Sequence, residues 1–75
     1  MKYSIKVRLT ILNRKQLDLI PIIEEKEGLT VAPAELSRAI TGKGNYPKMQ
    51  RIRKAAEEIV EQWEREAEEN EESEN

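Results

Sequence analysis

The chain has 75 residues, 37% of them charged and 4% aromatic, with no cysteine and no histidine. One small core must therefore hold it without disulfides, since a domain this size only just offsets chain entropy. The commonest metal ligands and the commonest general base are missing, and no nucleophile–base pair stands out, which argues against an enzyme and against any cofactor. No apolar run approaches the length of a membrane span and no signal-peptide pattern is present, so a cytoplasmic protein without a membrane partner is expected.

The net charge of −2 conceals a division. Positions 1–54 carry twelve basic and five acidic residues, a net of +7, whereas positions 55–75 carry Arg65 against ten glutamates, a net of −9. A basic body joined to an acidic tail points to an anionic partner for the body.

Tyr3, Ile5, Val7, Leu9 and Ile11 alternate with polar residues, as in a strand, while Ile5, Leu9 and Leu12 also fit one helical stripe. A lone strand has no partner here, so a first helix is expected. Asn13 with Gln16 three residues on forms a capping-box pattern for a second helix, whose apolar face is Leu19, Ile20, Ile22 and Ile23. Pro21 falls inside it and should bend or interrupt it; Gly28 should end it.

Pro33 suits the first position of a short third helix that closes at Gly42. Leu36 and Ile40, with Ala39 beside them, point one way; Ala34, Ser37, Arg38 and Thr41 point the other. Pro47 opens a long last helix with a stripe of Met49, Ile52, Ala56, Ile59, Val60, Trp63 and Ala67. "GKG" lacks the spacing of a phosphate loop, and the glutamate runs lack that of a cation site. The expected fold class is all-α, a compact domain of four to five helices over residues 1–66, followed by an acidic, disordered tail over 67–75.

A short helix, a glycine-marked turn, then Leu36-Ser37-x-x-Ile40-x-Gly42 and a basic-apolar helix resembles the lambda-repressor-like (XRE-type) helix-turn-helix family, in its small phage and mobile-element form. The resemblance covers roughly Ile5 to Val60. It implies sequence-specific binding of double-stranded DNA by a small transcriptional regulator. It puts Gln16 near the start of the first motif helix, Gly28 at the turn, and Leu36 and Ile40 as core anchors of a recognition helix braced by the helix before it. Ala34, Ser37, Arg38 and Thr41 then face DNA, with Arg38 suited to guanine or phosphate, and Gln16, Lys43, Lys48 and Arg51 suited to phosphate.

Such binders usually pair, and the seam running through Ile59, Trp63 and Ala67 is the expected homodimer interface. The alternative is a protein-interaction module that docks a partner on the long last helix. The acidic tail should compete with phosphate for the basic surface of its own chain.

Overall fold

The computed structural model describes residues 3–42 and 46–73, with side chains through 69. Among them are four α-helices and no strand: α1 (Ile5–Ile11), α2 (Leu19–Glu27), α3 (Pro33–Thr41) and α4 (Pro47–Ser73), with a 3-10 turn at Gln16–Asp18 leading into α2.

The first helix is a helix because its stripe can be buried and its alternation cannot. Ile5 and Leu9 face inward, while Tyr3, Val7 and Ile11 stay in solvent. The Ser4 hydroxyl caps it, accepting from the Val7 amide at 3.3 Å. Asn13 does not open α2. It takes a left-handed conformation (φ 59) just past the end of α1, and its amide donates to the Thr10 carbonyl at 3.0 Å. The box lies two residues later, where the Lys15 amide donates to Asp18 Oδ2 at 3.0 Å.

Pro21 neither bends nor breaks α2. With α2 starting at Leu19, the proline is in its first turn, where the amide it lacks would have no intrahelical acceptor. Gly28 and Gly42 end α2 and α3 in the left-handed region, at φ 66 and φ 76. The loop between α2 and α3 is held by Glu24, whose carboxylate accepts from the Val31 amide at 3.0 Å. Pro33 opens α3, and Glu35 reaches back to accept from the Ala32 amide at 3.0 Å.

The core is built around α4. Met49, Ile52, Ala55, Ala56, Ile59 and Val60 meet Ile5 and Leu9 of α1, Leu19 and Ile23 of α2, and Leu36, Ala39 and Ile40 of α3. The neighbours of α3 are mainly α4, α1 and the 3-10 turn. The brace expected from α2 is thus supplied largely by these other elements.

Helix α4 also continues past Ala67, where the sequence reading expects disorder, as far as Ser73. A packed helix propagates through good helix formers such as the Glu and Ala of this run, because each added residue gains a backbone bond without a new nucleus. The Gln62 amide adds a bond to Glu66 one turn on, at 3.2 Å.

Leu36 is wholly enclosed. Leu36→Ala should therefore lower unfolding free energy by about 2–5 kcal/mol in a denaturant titration. A midpoint equal to the parent's would mean that α3 is not packed through this face.

Candidate nucleic-acid interface

The basic residues divide into those already tied to a glutamate and those that are not. Arg8 is the extreme case. It is 4% exposed, yet it carries a charge. Its Nη1 donates to Glu57 at 2.7 Å, and its Nη2 and Nε donate to the two oxygens of Glu64 at 2.6 and 3.1 Å. The hydrogen bonds that the guanidinium donates to Glu64 raise its pKa above the ordinary value; burial opposes that shift and Glu57 adds to it.

Three further ties are on the surface. Lys26 meets Glu58 at 2.6 Å, Lys48 meets Glu35 at 3.0 Å, and Arg51 meets Glu27 at 3.2 Å while also donating to the Glu27 carbonyl at 3.1 Å. The Lys26 ammonium holds the Glu58 carboxyl below the usual range. Lys48 and Arg51, expected to seat phosphate, are thus engaged within the chain. Such exposed pairs are worth at most about 1 kcal/mol each and yield to a stronger anion.

The other set gathers on the opposite flank of α1. A cleft of about 360 Å³ lies between α1, the 3-10 turn and the start of α3. Lys6, Arg14, Lys15 and Gln16 supply its polar donors, Leu9, Leu17, Pro33 and Leu36 its apolar wall, and no carboxylate is among its described lining residues. Lys6, Arg14 and Lys15 make no ion pair among the described residues. Thr10 also lines the cleft, but its hydroxyl donates to the Lys6 carbonyl at 3.1 Å, one turn back in α1. The Arg14 guanidinium lies 4.7 Å from the centre of the Trp63 ring, so a cation–π contact holds one lip of the cleft against α4.

The residues singled out in the sequence separate on this frame. Gln16 is half-buried in the cleft, in the 3-10 turn rather than in α2. Ala34 and Arg38 are exposed on α3. Arg38 makes no ion pair among the described residues, although its charge adds a minor pull on the Glu35 carboxyl. Ser37, expected in solvent, is half-buried. Thr41 is exposed, but its hydroxyl donates to the carbonyls of Ser37 at 2.8 Å and Arg38 at 3.2 Å, so its donor is spent inside the helix. Lys43 lies outside the described residues.

The expected dimer seam is largely used within the chain. Ile59 is in the core, Trp63 packs half-buried against it beneath Arg14, and Ala67 is half-buried. The same holds for the stripe that would dock a partner protein, whose Met49, Ile52, Ala56 and Val60 are buried.

The sequence alone does not single out Lys6, Arg14 and Lys15, which the fold brings to one cleft. The available signal was the one-turn spacing of Lys6 and Thr10, which sets a polar flank beside the buried stripe of α1. Arg53 was missed too; its guanidinium lies by Gly42, adding a cation at the end of α3. No family model, curated protein or solved structure matches the chain.

The Glu35 carboxyl is held below its ordinary range, first by the Ala32 amide and then by Lys48. A lowered folded-state pKa contributes stability above the unfolded value, and that contribution is lost as pH falls through the lowered one. The Ala32 amide resonance should therefore titrate with a midpoint below the ordinary glutamate value of about 4.3. A midpoint at or above that value would mean the cap is not formed in solution.

Proposed function

We propose that the chain binds double-stranded DNA and acts as a small transcriptional regulator, by occlusion or recruitment at a promoter. The observation that carries this reading is the separation of its cations. Arg8, Lys26, Lys48 and Arg51 are bound to glutamates, whereas Lys6, Arg14 and Lys15 share one cleft beside α3 with no carboxylate among its described lining residues, and Arg38 is exposed on α3. A cleft of this kind lowers the cost of bringing a polyanion close, since no fixed negative charge in its lining has to be displaced.

In this reading α3 enters the major groove. It is short, and the Ala34 side chain at its start is too small to keep the backbone away from base edges. Arg38 takes guanine through two hydrogen bonds or takes a phosphate. Lys6, Arg14 and Lys15, with the Gln16 amide, seat the backbone phosphates of one strand, and these contacts fix position rather than sequence. Lys48 and Arg51 join only by exchanging Glu35 and Glu27 for phosphate. The likeness of the Leu36–Gly42 segment to helix-turn-helix repressors supports the same reading, which implies a cytoplasmic protein.

The two classes of contact are separable by measurement. Lys15→Gln should weaken duplex binding about equally for all sequences and reduce the slope of log K against log salt by about one contact. Arg38→Ala should narrow the gap between preferred and scrambled duplex, by about 1–3 kcal/mol if it reads a base. Fluorescence anisotropy over a salt series reads both. Unchanged affinity and slope in Lys15→Gln would remove the cleft from the interface, and failure of the parent chain to bind any duplex would end the proposal.

A further inference from the structure

The chain carries, besides a basic cleft, an acidic helix that contributes no residue to the described lining of that cleft. At about 1.5 Å per residue, the 27 residues of α4 reach about 40 Å, close to the molecule's longest dimension of 44 Å. Near its middle Glu64 holds Arg8 and Trp63 lies under Arg14. Ala67 is half-buried; Glu66, Glu68 and Glu69 are exposed. No proline or glycine follows Pro47, so nothing in the sequence kinks the helix. The tail is expected to compete for its own chain's basic surface, yet no α4 residue is among the described residues that line the cleft.

We infer that the acidic end of α4 docks into the Lys6–Arg14–Lys15 cleft of a second copy of this chain, and so competes with DNA for it. This rests on the reading of that cleft as a seat for polyanions. Carboxylates spaced along a helix offer the same chemistry as a phosphate backbone: fixed negative charge to ammonium and guanidinium donors. The cleft supplies three cations without a carboxylate in its described lining, and the helix end beyond Arg65 supplies glutamates without a cation.

The contact is head-to-tail. Each molecule presents one cleft and one helix end, so association continues into chains unless the rotation closes a ring. DNA binding and self-association exclude each other at the cleft. At low DNA the protein is held in a non-binding assembly, and duplex releases it.

Sedimentation velocity tests this with two variants. One ends at Ala67 and lacks the acidic turns. The other is Lys6→Gln/Lys15→Gln and lacks most of the cleft charge; both lysines are exposed and make no ion pair among the described residues, so its melting temperature should match the parent's. Should the double variant fail to fold, Lys15→Gln alone replaces it.

The parent should sediment above monomer mass at about 10 mM salt, where charges act over about 30 Å, and as monomer at about 1 M, where they act over about 3 Å. Each variant alone should be monomeric at both. An equal mixture of the two should give a species of twice the monomer mass and nothing larger, because one cleft and one acidic end remain. A monomeric parent at low salt, association of either variant alone, or a mixture that stays monomeric would each overturn the inference. Duplex titration of the chain ending at Ala67 separates the two proposals. Duplex bound with no association by the parent removes only the docking; association by the parent with no duplex bound by either protein removes the DNA reading and leaves the docking.

Discussion

A buried guanidinium between two glutamates of one helix fixes the arrangement of the other elements. Arg8 occupies a position in α1 flanking the stripe of Ile5 and Leu9, and its partners Glu57 and Glu64 are two turns apart on α4. The guanidinium is enclosed while both glutamates keep more than a third of their side chains in solvent, and such a pair gains little net stability over an apolar side chain of similar shape, so its worth here is register rather than energy. Leaving that guanidinium unpaired is costly, so α1 can rotate or slide on α4 only by losing both bonds. In this register Lys6 and Thr10 line the cleft beside α3, and Arg14, in the loop after α1, lies over Trp63. The cleft follows from the clamp.

The same helix organises charge as well as apolar packing. Glu57 and Glu64 hold α1, Glu58 and Arg51 meet α2, and Lys48 meets α3. The surface ties are individually weak and engage Lys48 and Arg51 of α4, whereas Arg53 and Lys54 make no ion pair among the described residues. Lys6, Arg14 and Lys15 at the cleft and Arg38 on α3 are further cations without an ion pair among the described residues. A chain of net charge −2 thus presents a basic face, a property that the total charge conceals.

Much of the fold was legible because its signals are local. Pro33 and Pro47 as helix openers, Gly28 and Gly42 as stops, and the 3.6-residue stripe of α4 each rest on a few neighbouring residues. Asn13 misled because asparagine serves both to cap a helix and to take up a left-handed turn, and the backbone here uses the second. Pro21 misled because its effect depends on where the helix begins, and the 3-10 turn moves that point to Leu19. The interface was less legible. Arg8 meets carboxylates 49 and 56 positions away, and Arg51 meets one 24 positions away, so no spacing within a single helix tells a bound cation from a free one. Lys48 and Arg51 were therefore assigned to phosphate, while Lys6, Arg14 and Lys15 were passed over because the cleft forms only when α1 and α3 meet.

The central claim is that the face formed by α1, the 3-10 turn and α3 meets nucleic acid, and that the face holding Lys26, Lys54 and Glu58 does not. Amide chemical-shift mapping on addition of a short duplex tests it residue by residue. The account predicts shifts at Lys6, Thr10, Lys15, Gln16, Ala34 and Arg38, with the amides of Lys26, Lys54 and Glu58 unmoved. Shifts centred on Lys26 and Glu58 while the cleft stays silent, or no shifts at all at low salt, would contradict it.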